Sequence, residues 1–398
     1  MIEVKCDIEK PTCAYVLATV ADPFVGKLSY VKVLSGRINA STDLYNTRTG
    51  VTERPGKLLF IRGKKQEEIK EVTAGDICAI SKLSANTGDS ICDPARPITL
   101  VRPEFPKPCY AMCVKAKGKG DESKISTAIT RILEEDPTLA YYTDPETREQ
   151  ILSGLGEQHL DVTISKIKSK FGVEVVLETP TVAYRETIRK PVKVQGKHKK
   201  QSGGHGQYGD VWIEFEPCDS EGLVFAENVF GGAVPRNFFP AVEKGLQECV
   251  KKGVLAGYPV VGLKATLVDG SYHPVDSNEM SFKMAASIAY KTGLPQASPV
   301  ILEPIGSLSV IVPEGVTGDI MGDLNKRRGR VLGMNAMPYG MTEVVAEVPM
   351  SEMQTYATTV RQMTQGAGSF TLEFTRYEQL PAQLEAGVIA ASKNNKEE

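Results

Sequence analysis

Between residues 1 and 102 short apolar runs recur at regular intervals, at 14–20, 28–34, 58–61 and 77–80. Turn signals such as Asp22-Pro23, Ser35-Gly36, Pro55-Gly56 and Ala74-Gly75-Asp76 separate them. Evenly spaced short strands of this kind predict a barrel or sandwich. The pattern then changes. A strand at 109–117 precedes a segment with Ile125, Ile129, Ile132 and Leu133 at helical spacing, followed by strands at 139–143 and 150–153. A second helix carries Leu160, Ile164, Ile167 and Phe171 on one face, Gly172 stops it, and a strand at 173–177 closes the unit. The order βαββαβ is the ferredoxin-like split motif.

Residues 305–377 repeat that order. A strand at 307–312 leads to a helix with Val316, Ile320, Met321 and Leu324, then a hairpin through Pro338-Tyr339-Gly340. A helix at 351–365 and a strand at 370–374 complete the unit. Between the two plaits, strands are expected at 182–188, 210–216 and 260–268. One helix carries Phe239, Val242, Leu246 and Val250. Another opens at Asp276, with Glu279 at capping-box distance and Met280, Met284 and Ile288 as its apolar stripe. The expected fold is therefore multidomain α+β: an N-terminal β-barrel and two ferredoxin-like βαββαβ domains flanking an α/β domain with an extended tip. The expected boundaries are 1–102, 103–179, 180–300 and 301–380, with a tail at 381–398.

Composition adds limits. The 398 residues suit about three or four domains, and 41% hydrophobic residues suffice for ordinary cores. Net charge is −2, so any nucleic-acid contact must come from local patches. The 8 cysteines include no Cys-x-x-Cys pair. Cys109 and Cys113 fall on one strand about 13 Å apart, too far to share a metal. All eight are expected to be reduced thiols in a cytoplasmic protein, and no membrane-spanning run is present.

The densest local chemistry lies at 187–209. This stretch has no Asp or Glu but contains Arg189, Lys190, Lys193, Lys197, Lys199 and Lys200, and it ends in the soft sequence Gln201-Ser202-Gly203-Gly204-His205-Gly206. Cations beside unshielded backbone N–H groups suit a polyanion such as RNA, although a charge run alone also fits a solvated hairpin loop. Tyr272 and His273, in a turn before a helix, offer two rings that could stack on unpaired bases. Lys326, Arg327, Arg328 and Arg330 form a second basic knuckle, suited equally to phosphate or to the carbonyl end of a helix. No Gly-Lys pair is followed by Ser or Thr, so no P-loop is present, and Asn325-Lys326-Arg327-Arg328 lacks the Asp of a guanine-reading motif. No metal-ligand spacing involves His159, His198, His205 or His273. An enzyme reading would use His273 as general base with Asp269 or Asp276 orienting it, but no nucleophile elbow accompanies it.

With these residues in view, the chain closely resembles bacterial translation elongation factor G without its GTPase domain. Asp22-Pro23-Phe24-Val25-Gly26 and Ala74-Gly75-Asp76 resemble its second domain. Glu134-Glu-Asp-Pro-Thr138 and Ser153-Gly-Leu-Gly-Glu-Gln-His-Leu-Asp161 resemble its third. Ala183-Tyr-Arg-Glu-Thr-Ile188, Lys200-Gln-Ser-Gly-Gly204, Gly206-Gln-Tyr-Gly209 and Asp269-Gly-Ser-Tyr-His-Pro-Val-Asp276 resemble its fourth. Gly318-Asp-Ile-Met-Gly-Asp323, Arg327-Arg-Gly-Arg330 and Ser351-Glu-Met353 resemble its fifth.

The resemblance implies a ribosome-binding part of a translational GTPase that moves the tRNA–mRNA complex. The partners would be the ribosome, tRNA with mRNA and a ribosome recycling factor, and the chain would act as a monomer. The tip would comprise Gln201, Ser202, Gly203, Gly204, His205, Tyr272 and His273. Lys197, Lys199, Lys200, Lys326, Arg327, Arg328 and Arg330 would contact ribosomal RNA. No catalytic residue, cofactor or metal is expected in this chain, and GTP with Mg would belong only to the missing domain. The chain is then expected to be a piece of a longer factor. His205 stands where Arg is usual, Pro274 where an acid is common and Asn278 where Ser is usual. These departures leave an elongation factor G-like paralogue, acting in recycling or ribosomal protection, as the alternative.

Overall fold

The computed structural model describes residues 3–22, 26–63, 65–118, 120–201 and 206–394. Two compact units result, one of residues 1–181 with 354–366, the other of residues 182–353 with 367–398.

In the first unit, the early apolar runs form β1 (Cys13–Asp22), β2 (Gly26–Ser35), β3 (Arg37–Asn39), β4 (Leu44–Asn46), β5 (Val51–Glu53), β6 (Leu58–Arg62), β7 (Lys65–Ile69), β8 (Glu71–Thr73), β9 (Ile77–Ser81) and β10 (Ser90–Cys92). Eight of them make one sheet, ordered β5-β4-β10-β1-β2-β9-β6-β7, while β3 and β8 pair separately. Ala14, Val16, Val31, Val33, Ile38, Leu44, Ile80 and Ile91 fill its interior. The plait follows with the expected order: β11 (Tyr110–Ala116), α1 (Glu122–Glu135), β12 (Ala140–Thr143), β13 (Gln150–Gly154), α2 (Glu157–Phe171) and β14 (Val175–Glu178). Its strands are ordered β12-β13-β11-β14. Gly172 ends α2 in the left-handed conformation, φ 68°, that the sequence signals.

Barrel and plait are fastened together. The Glu135 carboxylate accepts from the Ala21 amide at 2.7 Å and pairs with Lys170 at 2.5 Å, and the Thr19 hydroxyl donates to the Glu134 carbonyl. His159 is structural. Its Nδ1 accepts from the Leu155 amide at 3.0 Å, so Nε2 carries the proton and donates to Asp136 at 2.9 Å. Burial alone would raise the Asp136 carboxyl, but hydrogen bonds from Thr138 and His159 outweigh it and hold the group below the usual carboxylate range.

In the second unit come β15 (Arg185–Ile188), β16 (Val192–Lys200), β17 (Gln207–Pro217), β18 (Leu223–Glu227), α3 (Phe239–Cys249), β19 (Leu263–Ser271) and α4 (Glu279–Gly293). The later elements are β20 (Pro299–Pro313), α5 (Thr317–Lys326), β21 (Arg330–Met337), β22 (Met341–Pro349), α6 (Tyr356–Thr364), β23 (Ser369–Gln379) and α7 (Ala382–Asn394). Of these, α6 falls within the stretch that groups with the first unit. Strands β16-β17-β19-β18 form one sheet, with β18 parallel to β19. Strand β15 does not join it. It pairs with the first residues of β20, Arg185 opposite Leu302 through Ile188 opposite Pro299, in the sheet that also holds β21, β22 and β23. The Glu186 side chain on β15 reaches back. Only 1% exposed, it accepts from the amides of Leu255, Ala256, Gly257 and Tyr258 at 2.8–3.1 Å. One buried carboxylate thus anchors the 253–258 loop to a strand of the neighbouring sheet.

Helix α4 corrects the sequence expectation twice. Its cap is Asn278, whose side chain accepts from the Ser281 amide, and the helix begins at Glu279, not Asp276. Its inward face carries Phe282, Ala285, Ala286, Ala289 and Tyr290, whereas Met280 and Met284 are 57% and 41% exposed. Ser281, Ala285 and Ala289 fall where α4 comes closest to the sheet backbone, with Phe282 and Tyr290 buried beside them. A Cβ on Gly196 would stand 2.1 Å from the Ala285 carbonyl oxygen, and one on Gly209 2.5 Å from that of Ser281.

Candidate nucleic-acid interface

The basic stretch forms the β16–β17 hairpin, with Lys200 opposite Gln207 at its far end. Strand β17 pairs next with β19, which brings the β19–α4 connection alongside the hairpin. Asp276 ties the two. Its carboxylate accepts from the Gly206 amide at 2.9 Å, and its carbonyl accepts from the Tyr208 amide at 2.9 Å. Ser277 adds a third tie by donating to the Tyr208 carbonyl. The structure therefore gathers Lys197, Lys199, Lys200, Gln201, Tyr208, Tyr272 and His273 at one end of this domain. Ser202, Gly203, Gly204 and His205 lie outside the described residues. Lys197, Lys199 and Lys200 are exposed and make no ion pair among the described residues. Lys197 Nζ lies 5.7 Å from the Tyr208 ring centre.

His273 is held in a defined way. Its side chain is 51% exposed, and its Nδ1 accepts from the amides of Val275 and Asp276 at 3.3 and 3.1 Å. A ring nitrogen that accepts carries no proton, so the neutral ring keeps its proton on Nε2, on a side chain that is half exposed. Asp276 stands 3.4 Å from Nδ1, yet no proton sits there for it to receive. A general base oriented by a carboxylate needs the opposite tautomer. A cavity of about 550 Å³ lies between α3 and α4 beside Cys249, Lys252, Lys283 and Tyr290, and no tip residue lines it. The geometry at His273 suits contact, not proton abstraction. Among the described residues no group of His, Cys, Asp and Glu is arranged to hold a metal ion.

The second basic cluster divides. Lys326 and Arg330 are exposed. Arg327 turns inward, donating to Asp323 at 2.8 Å and to the Glu352 carbonyl at 2.6 Å. Arg328 sits at φ 62° and folds back as a two-pronged donor to Glu303 at 2.6 and 2.8 Å. The Glu303 side chain is 3% exposed, and its hydrogen bonds to Arg328 raise the pKa of that guanidinium above its ordinary value. The four cations thus fall in two settings: Arg327 and Arg328 pair with internal carboxylates, while Lys326 and Arg330 face solvent. Tyr208, Asp276 and Ser277, which build the tip, were missed as site residues. Their only signal was position beside the basic hairpin and the His273 turn.

Family models account for most of the chain. That for elongation factor G domain 2 matches residues 11–94, and that for domain III matches 105–179. That for domain IV matches 180–298, and that for the elongation factor G C-terminus matches 300–387. A crystal structure of a protein from Thermus thermophilus is similar over 97% of this chain, at 38% identity and a TM-score of 0.78. The chain spans 58% of that protein's length. No helix among the described residues is long and apolar enough to cross a membrane. Four successive family matches, the barrel-and-plait architecture and the basic tip agree: the chain belongs to the elongation factor G family and carries its domains two, three and four and its C-terminal domain.

Proposed function

We propose that this chain is the ribosome-engaging part of a cytoplasmic translational GTPase, and that its 180–298 domain promotes movement of the tRNA–mRNA complex by inserting its tip among RNA strands. The observation that carries this reading is the tip itself. Asp276 ties the hairpin to the β19–α4 connection, three lysines without an ion pair among the described residues line the hairpin, and half-exposed His273 is held with its proton on Nε2. A donor of this kind suits the acceptor-rich edges and phosphates of RNA. Lys326 and Arg330 supply a second, smaller phosphate contact. GTP and Mg belong, on this reading, to a separate domain of the longer factor. A role in recycling alongside a recycling factor, or in ribosomal protection, is the alternative, favoured by Pro274 standing in the tip turn.

The test is to join the chain to a GTPase domain of its family and compare His273→Ala with the unchanged fusion. Translocation should slow about tenfold, the equivalent of one hydrogen bond of roughly 1.4 kcal/mol, while ribosome-stimulated GTP hydrolysis stays near normal. Loss of both activities together, or of neither, refutes the assignment.

A further inference from the structure

The sheet β16-β17-β19-β18 has two unlike faces. Helices α3 and α4 cover one, where Val194, Val211, Ile213, Phe215, Leu263, Ala265 and Leu267 are buried. On the other, residues of alternate parity point away from that core. Strand β17 sends Tyr208, Asp210, Trp212 and Glu214 there, and β16 sends Lys193, Gln195, Lys197 and Lys199. All four β16 side chains are exposed, and both aromatic residues are half-buried. Trp212 is the chain's only tryptophan, and it lies on the face away from the core.

The Tyr208 ring is held in place. Its hydroxyl and that of Ser271, on β19, are 2.8 Å apart. Ser271 donates to Asp210 at 2.8 Å, and Gln195 donates to the other Asp210 oxygen at 2.8 Å. Asp210 is buried, makes no ion pair among the described residues, and accepts one of these hydrogen bonds on each oxygen. The network ties the hydroxyl end of the Tyr208 ring to the neighbouring strand, and Lys197 Nζ lies over that ring, 5.7 Å from its centre. The same ring stands 6.4 Å, centre to centre, from the His273 ring, so the network also links the platform to the tip.

We infer that this face, opposite the helices, is a stacking platform for unpaired bases. Single-stranded RNA would lay its bases on Tyr208 and Trp212, with its backbone along Lys197 and Lys199. The inference rests on the reading that this domain meets RNA, but it assigns a second contact surface, running from the tip down the sheet. Flat rings on a sheet, flanked by cations, bind single strands because every base has a face to stack, whereas a duplex hides its bases. Asp269 lies opposite Trp212 and is exposed, and Glu214 follows Trp212 on the same face, so the platform ends there.

Trp212 supplies the assay. The whole chain is titrated with an eight-nucleotide oligouridylate, following tryptophan emission and, with labelled RNA, anisotropy. Saturable quenching is expected. Tyr208→Ala should weaken binding about tenfold or more, in line with the loss of one stacked base, and Tyr208→Phe should restore most of it. Ser271→Ala, which leaves the ring but frees its hydroxyl, should give an intermediate loss. Lys197→Glu with Lys199→Glu should lower affinity and reduce the salt slope by about 1.4. Circular dichroism and melting confirm that each variant is folded, with Tyr208→Phe as the second check on the ring.

Absence of quenching up to about 1 mM RNA, beyond the usual non-specific range, overturns the platform, as does equal binding of an eight-base-pair duplex. Ribosome co-sedimentation is run alongside. If it persists while the oligonucleotide fails, the platform falls and the tip reading stands. If both fail, both fall.

Discussion

Replacing Glu186 by Gln tests how far one buried carboxylate organises the junction between two sheets. The native side chain accepts four amides: Leu255 on one oxygen, Ala256, Gly257 and Tyr258 on the other. Gln keeps the shape but replaces one oxygen with a donor. With the remaining oxygen serving three amides, the NH2 group faces the Leu255 N–H, and that bond is lost. A hydrogen bond to a charged group contributes about 1.5–3 kcal/mol, and the three survivors weaken because they are no longer charge-assisted. The neutral amide costs less to bury, which offsets part of the loss. The net effect is roughly 2–4 kcal/mol, concentrated on the loop. Amide hydrogen exchange read at 255–258 is the assay, and protection there should fall by about 30- to 1,000-fold. Exchange unchanged within tenfold would refute the reasoning, because the four bonds would then not be what holds the loop.

Two further outcomes are expected. Arg328→Met leaves the Glu303 carboxylate buried without its partner, which should cost about 3–5 kcal/mol in urea unfolding, and the added change Glu303→Gln should recover most of it; equal stability of the two variants would show the pair is not coupled. The Asp136 carboxyl lies below its unfolded value near 3.9, so its contribution is present above about pH 4 and is lost as pH falls through the lower native value; Asp136→Asn should lower the melting temperature at pH 7 and flatten its decline between about pH 4 and 2, and parallel melting curves for both proteins would exclude this.

The element order was legible in the sequence because that order rests on local periods. The helical spacing of Ile125, Ile129 and Ile132 and the stop at Gly172 describe α1 and α2 without reference to anything distant. Helix α4 marks where local periods stop being enough. Met280 and Met284 suggested the buried stripe, but a helix pressed against Gly196 and Gly209 places Ala285 and Ala289 at the close contact and buries Phe282 and Tyr290 beside it, leaving the two methionines exposed. That requirement is written on another element. The basic knuckle shows the same limit. The sequence left Arg327 and Arg328 equally suited to phosphate or to a helix end, and their partners Glu303 and Glu352, about 25 residues away on either side, come alongside only in the fold. Strand β15 was visible as a strand, yet nothing in its residues says which sheet it will join. At the tip, the charge pattern and His273 were legible, but the fastening by Asp276 and the platform set by Asp210 and Ser271 exist only once β16, β17 and β19 lie side by side.

The contact of α4 with Gly196 and Gly209 also has a mechanical meaning. A side-chain layer between helix and sheet can shear, since rotamers adjust and dissipate load. Here the helix rests on main chain at two places along the hairpin, so that cushion is missing and close packing must be broken before the hairpin can flex. The hairpin and α4 then bend as one beam. Flexing the hairpin then requires α4 to move with it, because at these two contacts neither main chain has room to slide past the other.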